Sequence, residues 1–241
     1  MPETVRVLGV PVDVVSEVDV LDFIGRRVAE REVSQVVTVN AEYVMRARVD
    51  SVFKRVIESA DLRTPDGAGV VWAARRRGAM IQGRVGGSDL IWSVSEQAAR
   101  TGQRVFLLGG AEGVAACASR VLQTRYPGLQ VCGTFAGSPT AGRDDEQRRL
   151  IREAKPDVLF VAFGAPEQDL WIARAKRELQ VPVSMGVGGS FDYVAGIAKR
   201  APLTMQRLGL EWLYRLVRQP WRWRRMLVLP VFAALAGLRR D

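Results

Sequence analysis

In a chain of 241 residues without a single histidine, proton transfer has to come from a carboxylate, Lys, Tyr or Cys, or from the substrate itself. The missing imidazole also removes the commonest zinc ligand and every Ser-His or Cys-His arrangement, which excludes most hydrolase chemistries. Cys117 and Cys132 form no metal motif and need not pair; a cytoplasmic chain would keep them reduced. Attention therefore falls on Asp66, in Leu62-Arg-Thr-Pro-Asp-Gly-Ala-Gly69. Pro-Asp-Gly is a strong turn signal, so Asp66 reads as a turn residue or helix cap. Just ahead of a helix, it also reads as a carboxylate base at the edge of a cleft.

Two glycine-rich segments could approach a ligand closely. Phe106-Leu-Leu-Gly-Gly-Ala-Glu-Gly113 resembles a nucleotide loop, yet its third glycine is misplaced for the dinucleotide fingerprint. Gly186-Val-Gly-Gly-Ser-Phe191 fails the same test at Phe191, and no P-loop is present. A tight strand-to-helix turn with no ligand is the other reading of the first loop. In Gly164-Ala-Pro-Glu-Gln-Asp-Leu-Trp171, Pro166 suits a first helical turn, and Glu167 and Asp169 suit a helix N-terminus. Gln168 has no such structural explanation.

These residues need a frame. Short β-branched runs alternate with helical patterns along most of the chain. Val5–Leu8 and Val12–Val15 flank Gly9-Val-Pro11 as a small hairpin. Strands are expected at Gln35–Val39, Arg104–Leu108, Gln130–Thr134, Asp157–Phe163 and Val181–Val187. Helices are expected at Ala41–Ser59, Gly67–Arg76, Ser88–Arg100, Val114–Arg125, Asp144–Ala154 and Glu167–Leu179. Near-continuous apolar strands between helices predict an α/β domain of Rossmann-like type. Its mostly parallel sheet carries helices on both faces over residues 1–195, and a helical C-terminal appendage follows over 196–241. Ligands in such folds sit at the carboxyl ends of the strands. That rule selects Thr38, Asn40, Asp66, Gly109, Gly110, Thr134, Phe135, the segment from Gly164 to Gln168 and the segment from Gly188 to Asp192.

The appendage is chemically distinct. The whole chain carries 35 Lys/Arg and 26 Asp/Glu, yet ten of the former and only two of the latter lie between Lys199 and Asp241. That stretch holds three of the six tryptophans, in Glu211-Trp-Leu-Tyr-Arg-Leu-Val-Arg-Gln-Pro-Trp-Arg-Trp-Arg-Arg225. Arginine interleaved with Trp and Tyr fits an anionic membrane surface. A folded surface or homo-oligomer contact, and a nucleic-acid site, are the competing readings. Met226–Leu238 is apolar over 13 residues but includes Pro230, short of the roughly 20 a spanning helix needs; it reads as interfacial or packed. Met1–Val10 lacks the pattern of a signal peptide.

Taken together, Val37-Thr-Val-Asn40 with Glu42, Pro65-Asp-Gly67, Arg84-Val-Gly-Gly-Ser-Asp-Leu90, Phe106–Gly110, Gly164–Asp169, Gly186–Asp192, Arg200-Ala-Pro202 and Gly209–Arg215 resemble the WecG/TagA/CpsF glycosyltransferase family. The motifs keep the family's order from about Val5 to Met226. One departs from it, with Asp169 where members usually carry Glu.

The resemblance implies a metal-independent, inverting transfer that needs no cofactor. The donor would be a UDP-sugar of N-acetylmannosamine or uronic-acid type. The acceptor would be a sugar on undecaprenyl diphosphate, at the cytoplasmic face of the membrane, in cell-wall or exopolysaccharide synthesis. It implies Asp66 as general base and Thr38 as part of the catalytic centre. Asn40, Arg84 and Gln168 would contact substrate, with Gly109, Gly110 and Asp192 near the nucleotide. Arginine is a natural partner for a departing diphosphate, and Arg215, Arg218 and Arg222, at i, i+3 and i+7, fall on one helical face if the helix passes Pro220 with only a kink. A membrane-docked nucleotide-binding oxidoreductase and a non-catalytic nucleic-acid-binding protein are the alternatives.

Overall fold

The computed structural model describes residues 2–142, 144–207, 209–218 and 223–238, with the backbone alone at 203, 207, 215, 224 and 225. The chain opens with an antiparallel hairpin, β1 (Thr4–Val7) and β2 (Val10–Asp13), in register from Thr4↔Asp13 to Val7↔Val10. Its turn is Leu8-Gly9, both at positive φ (50° and 83°), rather than the expected Gly9-Val-Pro11. A two-residue turn of this hand matches the twist of the strands it joins.

The core strands are β3 (Ser34–Val39), β4 (Leu62–Pro65), β5 (Arg104–Gly109), β6 (Gln130–Phe135), β7 (Val158–Ala162) and β8 (Val183–Gly186). They form one sheet in the order β4-β3-β8-β7-β5-β6, every pair parallel. Alternate side chains divide between its faces. Leu107, Phe160 and Met185 pack with α1 (Glu17–Glu30), α5 (Gly87–Thr101), α6 (Val114–Arg125) and α9 (Ser190–Val194). On the other face, Leu108, Leu159 and Val161 meet α7 (Asp145–Ala154) and α8 (Glu167–Leu179). There too, Val37 and Val39 meet α2 (Ala41–Ala47), α3 (Ser51–Glu58), α4 (Ala68–Arg75) and the hairpin. Asp50 divides the expected Ala41–Ser59 helix in two, because its carboxylate accepts from the Phe53 N–H (3.0 Å) and starts α3 anew.

The last four helices are α10 (Leu203–Arg207), α11 (Glu211–Arg218), α12 (Trp223–Met226) and α13 (Val228–Leu238). Pro230 lies in the first turn of α13, where a missing N–H costs no helical bond. Phe232 and Ala236 are buried in the same cluster as α2 and α4, so the apolar run is packed along the body. Its other side exposes Leu227, Val231 and Leu238. Among the described residues no helix is long and apolar enough to cross a membrane.

Candidate active site

A cavity of about 600 Å³ lies at the carboxyl ends of β4, β3, β8 and β7. Five of the sequence-selected residues line it: Thr38, Asn40, Asp66, Arg84 and Gln168. Four of them lie at or after strand ends, and Arg84 lies in the loop before α5, where the Val85 N–H donates to the Pro65 carbonyl at the end of β4 (2.7 Å). Thr38 lies opposite Thr64 in the β3–β4 ladder, and one further bond, from Asp66 N–H to Val39 C=O (2.8 Å), carries Asp66 to the end of β3. Gly67 (φ 95°) then turns the chain into α4. The loop before α5 closes over Asp66 so tightly that a Cβ at Gly86 would overlap the carboxylate. Asn40 caps α2, its Oδ1 accepting from Tyr43 N–H (3.0 Å). The N-termini of α4, α5 and α8 all reach the cavity, through Gly67-Ala68, Gly87-Ser88 and Ala165. Helix starts offer unpaired N–H groups and a positive dipole end to an anion.

Behind Gln168 stands a buried polar network that sequence spacing does not reveal. Gln168 Oε1 accepts from Gly188 N–H (2.9 Å), while its Nε2 donates to the Tyr43 hydroxyl (3.0 Å). That hydroxyl donates to Asp169 Oδ2 (2.6 Å), and Gln35 Nε2 donates to the Asp169 carbonyl (3.0 Å). Gln168 thus fixes the loop after β8 at the cavity wall, and Asp169 holds Tyr43 from below without lining the cavity. Asp169 is fully buried and its Oδ1 has no hydrogen-bond partner. Burial pushes its pKa up to about 7 against the opposing pull of the Tyr43 hydrogen bond and the nearby Gln168 amide. Burial, with the neighbouring Asp169 charge, pushes the Tyr43 phenol well above its ordinary value. Gly186 is needed beneath this network, since a Cβ there would overlap the Gln168 side chain.

Arg84 belongs to a ring of four charges. Its guanidinium meets Glu211 (3.0 Å) and Asp89 (3.2 Å), and Arg200 meets the same two acids from the other side, at 3.4 and 2.6 Å. Arg84 also donates to Gln206 Oε1 (3.2 Å). Burial pulls the Arg200 pKa down, but the hydrogen bonds and charges of Asp89 and Glu211 outweigh it and leave the pKa raised. The ring joins the body (Arg84, Asp89) to the chain after residue 195 (Arg200, Glu211). Its members lie 111 and 127 residues apart, and their common signal in sequence is that each falls within a short motif of the resemblance.

Three expected ligand residues are not in the cavity lining. Gly109 (φ 110°) runs against β7, where a Cβ would meet the Ala162 backbone at 2.7 Å, and Gly110 (φ 77°) packs by Val114 and Phe191. Asp192 lies in α9, whose Ser190 and Tyr193 line the cavity. Arg218 is exposed at the end of α11 and stacks over Tyr214 (5.6 Å). Arg215 is described by backbone only, and Arg222 lies outside the described residues. Among the described residues no group of three or more His, Cys, Asp and Glu is arranged to hold a metal ion.

The site therefore presents a half-buried carboxylate beside a hydroxyl and two amides, with helix N-termini and Arg84 around it. That set can deprotonate a hydroxyl and hold an anionic leaving group. Comparison with known proteins gives the family. The chain is 34% identical over 214 residues to an N-acetylglucosaminyldiphosphoundecaprenol N-acetyl-beta-D-mannosaminyltransferase of Bacillus subtilis, covering 88% of this chain and 83% of that protein. Proteins of the same name match from Bacillus spizizenii (36% identity; 82% and 76% covered) and Staphylococcus aureus (32%; 95% and 90%). The family model described as "Glycosyl transferase WecG/TagA/CpsF family" matches residues 5–240, and the chain belongs to that family of glycosyltransferases.

Proposed function

We propose that the protein moves an N-acetylmannosamine-type sugar, or its uronic acid, from a UDP-sugar to a sugar borne on undecaprenyl diphosphate. The reaction is a single inverting displacement without a metal ion, at the cytoplasmic face of the membrane. The observation that carries the reading is the position of Asp66. It lines the cavity with Thr38, Asn40 and Gln168 at the carboxyl edge of the sheet, and residues at three helix N-termini line the same cavity. In the reaction the acceptor hydroxyl oxygen attacks the anomeric carbon of the donor. Asp66 takes the hydroxyl proton, the bond from the anomeric carbon to the diphosphate oxygen breaks, and UDP leaves. Asn40 and Gln168 orient sugar hydroxyl and amide groups. The helix N-termini, with Arg215, Arg218 and Arg222 of the basic segment, stabilise charge on the diphosphates. Residues 1–195 supply the catalytic body, and 196–241 dock it on anionic lipid. The names of the relatives support the acceptor and sugar type; neither a nicotinamide reaction nor nucleic-acid binding has a counterpart among them.

The test is a screen of UDP-sugars against a short-chain lipid diphosphate carrying N-acetylglucosamine, read by mass spectrometry of the product. Transfer from a UDP-N-acetylmannosamine donor is expected. Asp66→Asn should reduce it by about 10²–10⁴-fold while UDP still binds. A screen with no transferred sugar, or Asp66→Asn turnover near wild type, would refute the reading.

A further inference from the structure

The cavity lining is chemically mixed. Thr38, Asn40, Asp66 and Gln168 are its polar members. The same cavity is lined by Trp72 from α4, Trp212 from α11, Met226 from α12, and Leu229 and Phe232 from α13. Phe232 and Met226 are buried at 2% and 8% exposure, so this wall is part of the packed fold. Trp72 and Trp212 line the same cavity yet stay 41% exposed, so the apolar wall runs outward to solvent. Trp72 is held from behind: the Arg76 guanidinium lies 5.4 Å from its ring and also donates to the Gly237 carbonyl (3.4 Å). Beyond the wall the same C-terminal helices expose Leu227 and Val231. A chain of contacts joins Asp66 to Trp212. Asp66 packs under Gly86, Arg84 follows two residues earlier in that loop, Arg84 pairs with Glu211, and Glu211 precedes Trp212.

We infer that the wall of Trp72, Trp212, Met226, Leu229 and Phe232 is a binding site for the first isoprene units of a polyprenyl diphosphate, so that the enzyme grips the lipid chain itself as well as its sugar. The inference rests on the proposed acceptor. A sugar diphosphate lipid is polar, then anionic, then apolar along its length. The cavity lining holds a carboxylate and amides, Arg84, and two tryptophans with further apolar side chains. A membrane surface alone would need exposed aromatics, but not an apolar wall continuous with the catalytic carboxylate. Branched, unsaturated isoprene units suit flat indole faces and a Met side chain, which adapts to irregular shapes. Trp72 is the informative member, because it belongs to α4 of the body and not to the basic segment.

The experiment is binding of farnesyl diphosphate against methyl diphosphate to the full chain by titration calorimetry, in buffer without vesicles or detergent. Farnesyl diphosphate should bind at least about 10-fold more tightly, from apolar area removed from water. Trp72→Ala should erase most of that preference without weakening methyl diphosphate, and Trp72→Phe should keep part of it. Equal affinity of the two probes for the wild type would overturn the inference. So would a Trp72→Ala variant, folded by its urea midpoint, that keeps the full preference. Because binding is read without turnover, a failed UDP-sugar screen leaves this outcome readable, and a lost prenyl preference leaves transfer to a lipid-free acceptor standing.

Discussion

Asp169 is a carboxyl group with one oxygen hydrogen-bonded to Tyr43 and the other to nothing, at 0% exposure. Replacing it with Asn keeps the shape and one acceptor for the Tyr43 hydroxyl, and removes the charge. Burial raises the folded-state pKa from 3.8 to about 7. Between those values the folded protein holds a proton that the unfolded chain has released. Stability from this group is therefore fully present below pH 3.8, falls as pH rises, and is lost once pH passes about 7. The linkage integral from pH 5 to pH 8 is about 2.5 kcal/mol at 1.36 kcal/mol per unit. Urea denaturation of wild type and Asp169→Asn at pH 5, 6, 7 and 8 measures it directly, because the other titrating groups cancel in the difference. The variant should gain about 2.5 kcal/mol on the wild type across that range. A difference that stays flat with pH, or that moves against the variant, would show that Asp169 is ionised in the fold and that burial does not dominate its environment.

Gly86→Ala should lose transfer on the scale of a removed general base, about 10²-fold or more, with a much smaller change in urea midpoint, because the new methyl displaces the Asp66 carboxylate. Gly186→Ala should push Gln168 off Tyr43 and Gly188 and cost roughly 1–3 kcal/mol of stability, read by urea denaturation, with reduced transfer. A chain cut after residue 198 should no longer bind anionic liposomes in a salt-sensitive manner, and it should bind the dye ANS where Phe232 had covered α2 and α4. Liposome binding equal to that of the full chain would place the docking surface elsewhere.

Much of the fold was legible because period and punctuation agreed. The buried strands β5, β7 and β8 read as apolar runs, and the helices between them carry their own start signals. Besides the five-residue α9, two elements escaped. α1 announces itself through a capping box, Ser16 with Asp19, whose side chain and backbone bonds are 3.3 and 2.8 Å. A four-residue motif is easily passed over ahead of a helix with no long apolar stripe. β4 is only Leu-Arg-Thr-Pro, and its charged Arg63 argues against a buried strand until Asp13 is seen beside it at 3.0 Å. The site divides the same way. Thr38, Asn40, Asp66 and Gln168 are found by asking which residues end strands. Tyr43 is not, because it looks like an apolar position of α2 until its hydroxyl meets a carboxylate 126 residues away. Asp169 has the opposite problem. Its place in the first turn of α8 suggests a solvent-facing acid that complements the helix dipole, and tertiary packing turns it inward.

The basic segment begins as a composition feature and becomes part of the cavity through its acid. Glu211 is the sole Asp or Glu in the described residues after 198, within a stretch of ten arginines and lysines. It is placed between Arg84 and Arg200, both about four-fifths buried, with Asp89 closing the ring. Two cations and two anions alternate, so each group keeps opposite charges on both sides. A partly buried pair of this kind gives little net stability over an apolar equivalent, but removing one partner strands the rest at about 3–5 kcal/mol in a fully buried case. The ring therefore works as a register mark more than as glue. If α11 shifts, Glu211 leaves Arg84, Arg84 loses its place beside the Gly86 loop that covers Asp66, and Trp212 moves with it. The position of the C-terminal helices is in this way linked to the loop over Asp66, although 145 residues of chain separate Asp66 from Glu211.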